Sequence, residues 1–165
     1  MPTASHPASI RQIFRQTEFI CDRVSRVRVP WQTLFAAPQD TNIASYFIKG
    51  HTAVRRRLAA IPMDEIAISS VTEGELRYGV ARLPDHARLK TIVEAFLIRV
   101  NVQPWDSAAA RCCGPLRAGL EAGGAGLANL DPMIAAHALA RGSILITHDK
   151  AFARVKGLAL EDWTK

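Results

Sequence analysis

The stretch Leu127–Phe152, LANLDPMIAAHALARGSILITHDKAF, decides how the chain is read. LDPMIAAHALARG has the pattern of an apolar helix with a proline just inside its start, a position where the missing N–H costs nothing. SILITHD follows as a short apolar run suited to a buried strand. Asp131 stands at the start of the helix and Asp149 just after the strand. Each is either an ordinary cap or part of a metal site.

Working outward, the same alternation recurs. DTNIASYFIKG reads as a helix ending at Gly50, and Thr52 to Ile61 as a second short helix closed by Pro62. IAISSV, Ile66 to Val71, reads as a buried strand followed by the helix EGELRYGVARL. AFLIRVNVQP passes from a helix end into a strand, after which Asp106 N-caps an alanine-rich helix that Gly123 and Gly124 close. Strands alternating with helices predict a parallel sheet between helical layers, because parallel neighbours need crossover connections.

Residues 1–39 differ from this pattern. Ile10, Ile13, Phe14, Ile20, Val24 and Val27 fall near a helical period among several arginines, so the segment reads as a partly helical, basic N-terminal extension, broken by Pro30 and Pro38. Residues 40–165 form the expected single domain, since 165 residues with 48% hydrophobic content bury one core and are short for two ordinary domains. A formal net charge of +6 favours a polyanionic partner. Three cysteines, two of them adjacent and none in a zinc-ligand spacing, fit a reduced cytoplasmic protein. No apolar stretch approaches the ~18 residues of a membrane span.

In open parallel sheets ligands collect where strand carboxyl ends lead into helix N-termini. Asp40, Glu75, Asp131 and Asp149 occupy such places. Alone, any of them reads as a cap. Together, four carboxylates at one sheet edge repel unless a cation neutralises them, and Mg²⁺ or Mn²⁺ accepts such oxygen ligands. The chemistry this opens is phosphodiester hydrolysis through an activated water, with one metal ion or two.

DTNIASYFIKG, ISSVTEGELRYGVARLP, PWDSAAAR, LDPMIAAHALARGSILITHDKAF and GLALEDW resemble, in order and spacing, the PIN-domain toxins of the VapC-like group, over Asp40 to Trp163. The resemblance implies a PIN-like three-layer α/β/α sandwich with a central parallel sheet. It implies a Mg²⁺- or Mn²⁺-dependent endoribonuclease acting on RNA, usually a homodimer, inhibited by a cognate antitoxin. The family's four acids fall on Asp40, Glu75, Asp131 and Asp149, the same four that strand-end geometry selects.

Two departures stand out. The family runs an apolar strand directly into its first aspartate, whereas here TLFAAPQD intervenes, and Pro38 cannot donate to a sheet ladder. Either WQTLFAA forms a shifted strand or the first strand is damaged, and the second case describes a catalytically impaired module that still binds antitoxin or RNA. His148 stands where the family often has asparagine and reads as structural. A Mg²⁺-dependent phosphatase or phospho-acceptor domain also clusters acids at strand ends, but no aspartate-nucleophile signature accompanies them.

Thr41, Asn42 and Thr147 neighbour the acids and are candidates to fix carboxylates or water, or simply to cap backbone. Among the basic residues Arg77 is singled out as able to reach a substrate phosphate or steady the acids, while Glu73 is expected to be solvated. His137, on an apolar helix, reads as packing or an internal hydrogen bond, and Asp106 as a cap only.

Overall fold

The computed structural model describes residues 33–35, 43–62, 65–84, 87–124, 126–128 and 130–165. Five strands, β1 (Thr33–Phe35), β2 (Ile66–Ser69), β3 (Asn101–Gln103), β4 (Ile144–Ile146) and β5 (Leu160–Glu161), form one sheet in the order β3-β2-β1-β4-β5. Every neighbouring pair is parallel. Among the described residues six helices connect or flank them: α1 (Ile43–Ile48), α2 (Thr52–Ala59), α3 (Ser70–Ala81), α4 (Ala87–Leu97), α5 (Ser107–Ala122) and α6 (Asp131–Arg141). A 3-10 turn over Lys150–Arg154 joins β4 to the last strand.

Side-chain alternation along the strands builds the layers. Ile66 and Ile68 of β2 and Ile146 of β4 pack with Val54 and Leu58 of α2, Leu76 and Val80 of α3, and Val93, Phe96 and Leu97 of α4. Ala67 and Leu145, one residue out of step, face the other way onto Ile134, Ala135 and Ala138 of α6 and Leu120 of α5. The period of two in a strand therefore divides the core into two halves with the sheet between them. Each buried isoleucine contributes roughly 1.5–3 kcal/mol, so these short strands are held by packing more than by their length. The three-layer α/β/α sandwich expected from the sequence is what the chain forms.

Helix α6 is the most enclosed element. Ala135 and Ala138 meet the sheet side, whereas Ala136 and Ala140 pack with Cys112 of α5. Small side chains on both faces let the helix sit close to its neighbours. Gly142, at φ 61°, ends it in the left-handed conformation that favours glycine.

Element boundaries differ from the sequence reading in instructive ways. The run Ile66–Val71 stops being a strand at Ser69, whose hydroxyl accepts a hydrogen bond from the Val71 N–H and so starts α3 at Ser70. The first strand takes the shifted position, with Thr33 in register with Ile66 on one side and Ile144 on the other. It lies ahead of Pro38 and inside the stretch set apart as residues 1–39, so the sheet draws its central strand from the chain before Asp40. The basic helix expected over Ile10–Val27 lies outside the described residues. Among the described residues no helix is long and apolar enough to cross a membrane.

Candidate active site

The carboxyl edge of the sheet gathers the acids by simple chain geometry. Helix α3 leaves the carboxyl end of β2 at once and presents Glu75 in its second turn. β4 ends at Ile146, and Asp149 follows three residues later. Helix α6 runs back to the start of β4, so its N-terminus, with Asp131, lies at the same edge. Order reverses between β1 and β4, the crevice where open α/β sheets bind ligands.

Asp131 is the electrostatic centre of this edge. It is only 5% exposed, and its carboxyl is pushed up to about 6, first by burial, then by the charge of Asp149 and then by that of Glu75. Two more of the four acids selected from sequence thus act on Asp131. Burial and like charge both penalise an ionised Asp131, and a bound cation would reverse that penalty. Asp149 is held from both sides: its N–H donates to Thr147 Oγ1 at 3.1 Å, and its Oδ1 accepts from the Ala151 N–H at 2.8 Å. The described residues alone do not close a ligand set, since no three carboxylate, imidazole or thiol groups among them are grouped to hold a metal ion. Asp40 and Asn42, expected at this edge, lie outside the described residues, as does Thr41.

The fold that carries this edge is matched in known proteins. The PIN-domain family profile matches residues 39–158. The chain belongs to the PIN-domain family. It is 39% identical to the tRNA(fMet)-specific endonuclease VapC of Shigella flexneri over 126 residues, 76% of this chain and 96% of that protein. It is 34% identical to ribonuclease VapC2 of Rickettsia felis, with coverages of 76% and 96%. Among solved structures, the DNA-bound VapBC of Salmonella typhimurium superposes with a TM-score of 0.72 at 33% identity, over 80% of this chain and 98% of that one. VapBC2 of Rickettsia felis bound to a promoter DNA fragment gives 0.71 at 30% identity, with coverages of 80% and 98%.

Within this PIN domain the remaining candidates sort by their partners. Thr147 is 5% exposed and its Oγ1 accepts from the backbone N–H of Asp149, the local backbone cap that was the alternative to a contact with a carboxylate. Arg77 departs from expectation. Its Nε donates to Glu73 Oε1 at 2.8 Å and its guanidinium also to Glu94 Oε1 at 2.6 Å, and these two bonds raise its pKa, Glu73 first. Two residues along an α-helix turn it by ~200°, so Arg77 leaves α3 on the far side from Glu75. Glu73, expected to be solvated, is the ion-pair partner there. The groove on that flank, lined by Arg77, Val80, Ala81, Lys90, Val93 and Glu94, is therefore separate from the acidic edge.

His148 is structural, as anticipated: its Nδ1 lies 3.2 Å from Asp162 Oδ2 and 3.1 Å from Thr164 Oγ1, and its ring meets Tyr46 edge-on. Burial opposes ionisation of Asp162, but hydrogen bonds from the Thr164 side chain and backbone and from His148 hold its carboxyl down to about 2. Asp106 caps α5 through the N–H groups of Ala108 and Ala109. The residues that sequence reasoning passed over are Ser69 and Trp105. A polar residue closing an otherwise apolar strand was the available signal for Ser69, whereas nothing local distinguishes Trp105.

Proposed function

We propose that this chain is a metal-dependent endoribonuclease, the toxin of a toxin–antitoxin pair. The relatives are VapC ribonucleases, and the solved structures it resembles are VapBC assemblies. RNA is the substrate and an antitoxin protein the partner. Self-association as a homodimer and a cytoplasmic location belong to the same proposal.

The observation that carries the mechanism is the buried Asp131, pushed up to about 6 with Asp149 and Glu75 as its charged neighbours. Such a site holds excess negative charge around a carboxyl group that is itself shielded from water, and carboxylate oxygens of this kind suit Mg²⁺ or Mn²⁺. PIN-domain ribonucleases depend on a divalent ion, and here Asp40, Glu75, Asp131 and Asp149 are the residues to hold it. When bound, the ion supplies Lewis-acid stabilisation of the charge that develops on the scissile phosphate. The chain's own part is to hold Asp149 by Thr147 and Ala151, keep Asp131 from solvent, and offer a carboxylate that orients the attacking water. Surface arginines such as Arg55, Arg56 and Arg57 of α2 supply salt-sensitive phosphate contacts. The alternative of an impaired module rested on a damaged first strand, and β1 is paired on both sides.

Purified protein incubated with structured RNA and Mn²⁺ tests the reading, with EDTA and Glu75→Gln as controls. Cleavage abolished by both supports it. Cleavage that survives both, or none by folded protein with Mn²⁺ bound, overturns it.

A further inference from the structure

The two helices that carry Glu75 and Asp131 are tied together by one buried polar contact and a second, half-buried tie. His137 Nδ1 lies 2.8 Å from Ser69 Oγ, and both residues are fully buried. Ser69 is the last residue of β2 and the N-cap of α3, so this bond joins α6 to the root of the helix bearing Glu75. Arg141 Nε donates to His137 Nε2 at 3.3 Å, which makes Nε2 the acceptor and leaves the ring proton on Nδ1 for Ser69. Trp105 adds a parallel tie. Its indole Nε1 donates to the Met133 carbonyl at 3.2 Å, and its backbone N–H donates to Ser70 Oγ at 3.0 Å. His137 and Met133 lie on α6 with Asp131, while Ser69 and Ser70 lie at the start of α3 with Glu75.

We propose that His137 is a positioning residue: its hydrogen bond to Ser69, seconded by Trp105, sets the separation of Glu75 and Asp131 and so the divalent-ion affinity of the acidic edge. The inference rests on the metal-dependent reading above. Asp131 and His137 are six residues apart, so the tie is made ~9 Å along α6 from the carboxylate. Fully buried and at that remove from the carboxylate, the imidazole is shut off from ion and substrate and acts through the placement of the two helices. Burial, and then the charge of Arg141, hold the imidazole down to about 4, so it stays neutral and keeps one fixed proton through the physiological range.

Two substitutions separate positioning from filling space. An asparagine amide nitrogen falls where Nδ1 lies and retains the donor to Ser69, whereas a glutamine amide reaches toward the Nε2 position and retains only the Arg141 side. Mn²⁺ affinity of each metal-free protein is measured by electron paramagnetic resonance, alongside kcat and KM for RNA cleavage. His137→Gln should bind Mn²⁺ about tenfold more weakly, the lower end of the loss seen when a group supporting a metal ligand is removed. Its kcat should fall at fixed Mn²⁺ with KM for RNA unchanged, and His137→Asn should restore both. Equal Mn²⁺ affinity in His137→Gln and wild type overturns the proposal, as does an equal loss in both variants, which would mark a packing requirement. Should His137→Gln fail to fold by circular dichroism, Ser69→Ala and Trp105→Phe carry the same test, with weaker Mn²⁺ binding expected and unchanged binding fatal. A wild-type protein that binds no Mn²⁺ instead overturns the metal reading, and this inference with it.

Discussion

Helix α3 separates two clusters of charge that have opposite meanings. On one side Arg77 bridges Glu73 and Glu94, and the three side chains are 49%, 27% and 41% exposed, so water and counter-charge both compensate them. On the other, Glu75 faces the buried Asp131, and Asp149 adds a further negative charge. The paired, wet cluster is an ordinary surface feature that stabilises little. The like-charged cluster around the buried Asp131 is costly to the folded chain, and a cost of that kind persists where function requires it. Counting charged residues would rank the two alike. Their pairing and burial tell them apart.

The largest expected effect breaks the acidic side. Glu75→Gln should lower RNA cleavage by at least about 10²-fold, the usual scale for removing a group that stabilises transition-state charge, with the circular dichroism spectrum unchanged. A smaller loss would move Glu75 out of the ion's reach and undo the contrast between the two faces.

Asp131→Asn sharpens the comparison through stability. The folded-state value of about 6 lies above the ~3.9 of an unfolded aspartate, so the folded chain binds the extra proton between those values. Stability from this group is therefore present below pH ~4 and lost as pH rises through about 6. In EDTA at pH 7 the asparagine variant should be the more stable protein, by at most about 3 kcal/mol, and the gap should close toward pH ~4. Adding Mn²⁺ should stabilise the wild type and not the variant. Urea titrations read all of these, and a gap independent of pH would remove the strained carboxylate from the account.

Asp106→Ala tests an acid outside the cluster, one that caps α5 and lies 3.8 Å from the Arg141 guanidinium. It should cost about 1 kcal/mol in urea melts through loss of the α5 cap, without altering Mn²⁺ affinity. Least of all should come from the far flank of α3. Arg77→Ala should leave cleavage within about twofold of wild type, since exposed ion pairs are screened and weak. A much larger loss would return Arg77 to the substrate-binding role suggested by its position in sequence.

Much of this molecule was legible residue by residue. The helix over Asp131–Arg141, the cap at Asp106 and the buried run beginning at Ile66 follow from propensity and hydrophobic period, which act within a few residues. Pro38 pointed to a shifted or a damaged first strand, and the chain takes the first of these, forming β1 ahead of the proline, where every N–H can join the ladder. Arg77 misled, since nearness to Glu75 in sequence meant the opposite face of a helix, and its second partner lies seventeen residues away on α4.

The sequence by itself determined the order of the described strands and helices and that Glu75 and Asp149 follow the carboxyl ends of strands, because both depend on local backbone preference and on the alternation of apolar side chains. Only the tertiary structure decided that Asp131 is buried among like charges, that Ser69 meets His137 across 68 positions, and that one face of α3 is compensated while the other is not. Desolvation and Coulomb interaction depend on distance through space, and no local pattern records which distant segments will be brought together.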